Sequence, residues 1–278
     1  METLTRGGTL RDRVKAWRKE GKRVALVSAT GTLHKGHMSL VAEAQERADH
    51  VVVSIVAHPM QTDSPTLEAD RDLLQKIGAD IAFVPPAQEI HPFGSDASAV
   101  VDIPALSGIL EGASRPGYFA AVATVQSKLF NVAVPDIALF GERDFQRFVV
   151  VKRMVEDLFI PVEVAVCATL RESDGLAFAN ANRQLTKAER PLAPRLFATL
   201  TQYAKKIDVG ERNYESLQRE ALANLAALGL SPDYFVIRQA ADLALVLPGT
   251  RELVLLGAAR FSHTRLVDCV RVRLIDRH

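Results

Sequence analysis

The stretch Val24-Ala25-Leu26-Val27-Ser28-Ala29-Thr30-Gly31-Thr32-Leu33-His34-Lys35-Gly36-His37 decides how this chain folds. Val24 to Val27 is apolar without alternation, as expected of a parallel strand covered on both faces. Beyond the glycine turn, Met38, Leu40, Val41 and Ala44 recur at helical spacing as far as Arg47. A strand, a turn and a helix in this order bring helix N-terminal N–H groups to the carboxyl end of the strand, a natural anion site. Gly31 permits the tight turn, and Gly36 leaves room for a phosphate to approach the backbone. His34 and His37 share one face at the helix start and can donate hydrogen bonds to phosphate oxygens as charge develops during attack on phosphorus. Two histidines alone would fit a metal site or satisfied surface residues equally well.

Outward from this stretch the same alternation continues. Val51–Val56, Ile81–Val84, Ile137–Phe140 and Val162–Cys167 read as further buried strands, with helices expected over Leu67–Ile77, Val122–Val132 and Asp144–Leu158. The reading is a doubly wound, Rossmann-like α/β sheet, whose ligands bind beyond the carboxyl ends of the strands. After about Thr169 the pattern changes. Helices over Lys187–Ile207 and Asn213–Leu228 precede strand candidates at Tyr234–Ile237, Glu252–Leu256 and Arg265–Val272, a smaller α+β domain. The expected division is therefore 1–169 and 170–278.

Composition excludes several classes. The chain has 278 residues, 48% hydrophobic and 24% charged, a globular rather than disordered balance. Lys and Arg total 34 against 33 Asp and Glu, so no strong field advertises nucleic acid or anionic lipid. No apolar run approaches a membrane span. The basic N-terminal segment is interrupted by Asp12 and Glu20, and Leu10, Val14 and Trp17 make it a helix with an apolar stripe rather than a targeting peptide. Cys167 and Cys269 stand far apart in apolar contexts, as expected of buried thiols in a reduced, cytoplasmic protein. No spacing of Cys and His points to structural zinc.

The His34-Lys35-Gly36-His37 stretch resembles the nucleotide-binding signature of the nucleotidyl-transferring α/β superfamily, and further segments narrow the resemblance to the pantoate–β-alanine ligase family. They are Ser54-Ile55-Val56-Ala57-His58-Pro59-Met60-Gln61, Leu110-Glu111-Gly112-Ala113-Ser114-Arg115-Pro116-Gly117-Tyr118-Phe119, Phe140-Gly141-Glu142-Arg143-Asp144-Phe145-Gln146, and Arg171-Glu172-Ser173-Asp174-Gly175-Leu176-Ala177 with Asn182-Arg183 and Leu185. The resemblance implies a two-step reaction. ATP and a carboxylate give an acyl-adenylate and pyrophosphate, and an amine then displaces AMP to form an amide, with Mg²⁺ accompanying the triphosphate. It implies His34, His37 and Arg143 as catalytic residues, and Thr30, Gly36, Gly141, Asp144 and Leu170 at the nucleotide, with Asp144 on the ribose hydroxyls. Gln61, His58 and Arg147 fall at the acid-binding positions. It further implies that the first domain binds nucleotide and acid, that the second acts as a lid, and that homodimers form near the Glu111–Val125 stretch.

Several positions depart from the family pattern. Thr30 replaces Met, His58 replaces Asn, Arg143 replaces Lys, and Arg147 stands where a second Gln helps hold the acid. An Arg there could clamp a carboxylate bidentately. At the domain junction Ala179-Asn180-Ala181 replaces Ser-Ser-Arg, and the loop after Gln61 is short. Three readings follow: an ordinary family ligase, a divergent ligase joining another acid and amine, or a non-catalytic nucleotide-binding relative.

Overall fold

The computed structural model describes residues 1–30, 32–56 and 67–274. The chain forms two compact units, one of Met1–Gly141 with Gln146–Ala168, the other of Glu142–Phe145 with Thr169–His278.

The first unit runs β1 (Glu2–Leu4), α1 (Gly7–Lys19), β2 (Val24–Ala29), α2 (Lys35–Arg47), β3 (His50–Ile55), α3 (Leu67–Ile77) and β4 (Ile81–Phe83). Three short helices follow, α4 (Ala87–Ile90), α5 (Pro104–Ser107) and α6 (Glu111–Ser114), and then α7 (Tyr118–Ala133), β5 (Ile137–Gly141), α8 (Phe145–Asp157) and β6 (Glu163–Cys167). The six strands are parallel in the order β1-β4-β3-β2-β5-β6. This is the Rossmann-like sheet expected from the apolar runs. Strand β1 was not expected, because three residues carry too little periodicity to read.

The strand order fixes which helices cover which face. From β2 the chain steps outward to β3 and β4, then returns to lay β5 on the other side of β2. Right-handed crossovers put α2 and α3 on one face, and α7 and α8 on the other. On the first face Leu40, Val41, Ala44 and Leu74 pack with Ala25, Val27, Ala29, Val51, Val53, Ile55, Ile137 and Leu139. Side chains alternate along a strand, so Leu26, Ser28, Val52, Ser54 and Phe140 take the second face. The N-terminal stripe also behaves as read, since Leu10 and Val14 are buried and Trp17 stacks on His50 at 4.0 Å.

In the second unit, α9 (Arg195–Asp208) and α10 (Tyr214–Ala227) pack on an antiparallel sheet of β7 (Ser231–Gln239), β8 (Glu252–Arg260) and β9 (Arg265–Arg273). Helix α9 begins eight residues later than its periodicity implies, because Pro191 and Pro194 withhold the N–H groups a helix needs. Gly257 lets α9 approach β8 closely, for a Cβ there would lie 3.0 Å from Leu196 Cδ1. Arg171 forms a bidentate pair with Asp268 at 2.7 and 2.9 Å, its guanidinium lying 3.3 Å over the Phe197 ring. Both cysteines are free and buried, and burial raises each thiol above its ordinary value, Cys167 to about 11.

Candidate functional site

Strands β2 and β5 are neighbours although β3 and β4 separate them in the chain, so the strand order reverses between them. A crevice opens beyond the carboxyl ends of such a pair, where α/β sheets bind ligands. The segment after β2 carries Thr30 and the histidine pair. Gly141 closes β5, and Arg147 lies in the first turn of α8.

The histidines build their own helix start. His34 is the N-cap of α2, and its Nδ1 accepts the Gly36 N–H at 3.1 Å. The His37 Nδ1 accepts the His34 N–H at 3.3 Å, and the two rings lie 4.0 Å apart. This is a capping box in which imidazoles replace the usual hydroxyl and carboxylate. It has a chemical consequence. With each Nδ1 accepting from backbone, the neutral rings carry their protons on Nε2, which makes Nε2–H the donor of each ring. The Ser39 Oγ donates to the Gly36 carbonyl at 2.8 Å and tightens the same turn.

Just upstream, the Leu33 N–H donates to Asp70 Oδ1 at 2.9 Å, and Asp70 is fully buried. In the structure it crosses from α3 to hold the backbone next to His34. On the β5 side, Gln146 is 4% exposed and serves the backbone of the α5–α6 segment. Its Nε2 donates to the carbonyls of Leu106 and Ile109 at 2.8 and 2.9 Å, and its Oε1 accepts the Glu111 N–H at 3.1 Å. That segment includes Leu110 at φ +50° and Gly112, where a Cβ would lie 1.9 Å from the Ser107 carbonyl oxygen. Gln146 thus anchors a tightly turned segment that has little local choice of shape. Neither Asp70 nor Gln146 was marked by the sequence as a supporting residue.

Arg143 and Asp144 belong to the second unit, on a 3₁₀ turn over Glu142–Asp144, where the guanidinium donates to the carboxylate at 3.1 and 3.3 Å. Leu170, also in that unit, is 40% exposed, and its carbonyl accepts the Phe178 N–H at 3.2 Å. The 179–181 departure sits at the start of a second 3₁₀ turn, Asn180–Gln184, with Ala181 packed against the unit's core. His58 and Gln61 lie outside the described residues.

A Rossmann-like sheet with a His-x-Gly-His helix start at its point of strand reversal defines a nucleotide-binding α/β protein with a small antiparallel second domain. The profile of the family described as Pantoate-beta-alanine ligase matches residues 2–271. The chain is similar to the pantothenate synthetase of Nitrosococcus oceani, 43% identical over 284 residues that cover 99% of both chains. Among solved structures, the pantothenate synthetase of Thermus thermophilus superposes with a TM-score of 0.88 at 34% identity, covering 97% of this chain and 99% of that one. The pantoate-beta-alanine ligase of Francisella tularensis, complexed with beta-gamma ATP and beta-alanine, gives 0.78 at 25% identity and 97% coverage of each. The chain belongs to the pantoate–β-alanine ligase family.

Proposed function

We propose that this chain joins pantoate to β-alanine at the expense of ATP, through an enzyme-bound acyl-adenylate. The carboxylate oxygen attacks the α-phosphorus, forming a P–O bond as the bond to pyrophosphate breaks. The amine then attacks the acyl carbon, a C–N bond forms, AMP leaves, and the amine gives up a proton. The observation that carries this reading is the reciprocal capping of His34 and His37, which fixes Nε2–H as the donor of each ring at the strand reversal. Donors fixed before the reaction stabilise charge on the attacked phosphate without reorganising. Asp70 keeps the loop in register, Thr30 offers backbone to the phosphates, Gly36 adds no side chain in their way, and Gly141 leaves open space at the end of β5. Arg143, Asp144 and Leu170 are assigned to the nucleotide, and Gln61, His58 and Arg147 to the acid.

Mg²⁺ would accompany the triphosphate, held mainly by phosphate oxygens and water. No group of three or more His, Cys, Asp or Glu side chains able to hold a metal occurs among the described residues. Mg²⁺ commonly needs only one or two protein carboxylates besides phosphate oxygens and water, and it would supply charge neutralisation there. The buried, protonated thiols of Cys167 and Cys269 suit a reducing cytoplasm. Homodimerisation near Glu111–Val125 rests on family membership.

Ala179-Asn180-Ala181 favours a second reading, a divergent family ligase with a different acid and amine, because it departs from the Ser-Ser-Arg that the family resemblance places at the triphosphate. The test of the first step omits the amine. ATP, Mg²⁺ and pantoate with hydroxylamine as trap give the hydroxamate of pantoate and an equal amount of pyrophosphate. Pantothenate formation from the full mixture without any trapped hydroxamate would overturn the acyl-adenylate.

A further inference from the structure

Three of the residues assigned to the nucleotide come from two separate stretches of chain. Arg143 and Asp144 stand on the Glu142–Asp144 turn, and Leu170 directly precedes Arg171. A 3₁₀ turn of three residues has little rigidity of its own, so its position must be fixed by other contacts.

Strand β9 supplies the fixing points. It is firmly seated, paired with β8 without a break from Arg265 to Arg273. Cys269 and Arg271 lie two residues apart and so share one face of the strand, while Asp268 takes the other. On the first face, the Cys269 Sγ donates to the Glu142 carbonyl at 3.0 Å, and the Arg271 Nε donates to Glu142 Oε1 at 2.5 Å. One strand thus holds Glu142 by both its backbone and its side chain. Burial keeps the Cys269 thiol well above its ordinary value, so it retains the proton it donates. On the second face, Asp268 takes both arms of Arg171, whose guanidinium also donates to the Gly175 carbonyl at 3.1 Å and covers the Phe197 ring of α9. The Cys269 N–H donates to Asp268 Oδ1 at 2.8 Å and links the two sets of contacts. The two nucleotide segments therefore reach β9 from opposite sides, and one strand sets their separation.

We propose that Cys269 and Arg271 are positioning residues for the nucleotide, holding through Glu142 the turn that carries Arg143 and Asp144 at a fixed distance from Leu170. This rests on the ligase reading above and extends it to residues that act through Glu142 rather than on the substrate. Magnitudes separate such a role from a structural one. The Arg271 side chain is 47% exposed, and exposed ion pairs contribute little to folding. A misplacement of about 1 Å in a reacting site costs about a hundredfold in rate. Loosening the turn is therefore felt in nucleotide use well before it is felt in stability.

The experiment compares the full chain with Arg271→Met, Glu142→Met, the two combined, Cys269→Ala and Cys269→Ser. Each is measured by thermal melting, by calorimetric titration with the non-hydrolysable β,γ-methylene analogue of ATP, and by steady-state kinetics with ATP and pantoate varied in turn. Arg271→Met should melt within about 3 °C of the wild type. It should bind the analogue about tenfold more weakly and lose about tenfold in kcat/KM for ATP, with KM for pantoate unchanged. The combined variant should be no worse than either single one, because both remove the same contact. Cys269→Ser keeps a donor and should stay near the wild type, whereas Cys269→Ala should follow Arg271→Met. Additive losses in the combined variant would mean that Arg271 does not act through Glu142, and would overturn the proposal. Equal worsening for ATP and pantoate, or lower melting with unchanged nucleotide binding, would show a structural role alone and would also overturn it. Analogue binding is read without turnover, so this binding pattern in a chain that releases no AMP would contradict the ligase reading alone. A chain that makes pantothenate with unchanged ATP constants in every variant would contradict only the positioning role.

Discussion

Replacing His34 by Asn separates two jobs that the wild-type ring performs together. The Nδ1 atom caps α2 through the Gly36 N–H, and the opposite Nε2–H is the donor assigned to phosphate. Asn is among the best N-cap residues, and its Oδ1 can take the place of Nδ1, whereas Ala leaves the cap empty at a cost of about 1 kcal/mol. In a chain of this size that cost lowers the melting temperature by about 2–4 °C. Neither substitution restores a donor at the Nε2 position. Loss of one preset donor to developing charge costs about 10²–10³ in kcat. Thermal melting and AMP release should therefore disagree in an informative way. His34→Asn melts close to the wild type and turns over as poorly as His34→Ala, which alone melts lower. Turnover by His34→Asn within about threefold of wild type, against that expected loss, would refute the donor role. Melting as low as that of the alanine variant would refute the cap.

Three further outcomes follow from the geometry. Arg171→Ala strands the buried Asp268 carboxylate and should cost about 3–5 kcal/mol in denaturant unfolding, while Arg171→Met with Asp268→Leu should recover most of it; equal losses would contradict the pairing. Burial, and then the Lys128 ammonium 3.3 Å from Nδ1, hold the His91 imidazole below its ordinary value, with Ser98 Oγ also 3.2 Å away. The unfolded chain therefore binds that proton more readily, so stability is complete above about pH 6.5 and is lost as pH falls toward the folded value. Melting of wild type should fall more than that of His91→Gln over this window, and parallel curves would contradict the reading. Gln146→Met leaves the Leu106 and Ile109 carbonyls and the Glu111 N–H without their partner, and urea unfolding should show a loss of about 2–4 kcal/mol.

The sheet was legible because five mostly apolar runs leave few alternatives to buried parallel strands. The His34–His37 loop was legible because its spacing ties a chemical pair to a strand-to-helix turn. What escaped reading depends on distant partners. Asp70 lies 37 residues from Leu33 along the chain, and Gln146 meets residues about as far away, so no local pattern announces either. Ser28 and Ser54 did leave a trace, as polar interruptions in Val24–Ala29 and Val51–Val56. Only the strand register shows that the two interruptions stand side by side. The late start of α9 had a visible cause in Pro191 and Pro194, which amphipathic spacing alone overrides.

The most direct measurement incubates the purified chain with ATP, Mg²⁺, pantoate and β-alanine and identifies the products by mass while counting AMP. The account predicts pantothenate and AMP in equal amounts, with none formed when pantoate is omitted. ATP binding without AMP release, from pantoate or from any other carboxylic acid offered with an amine, would contradict it.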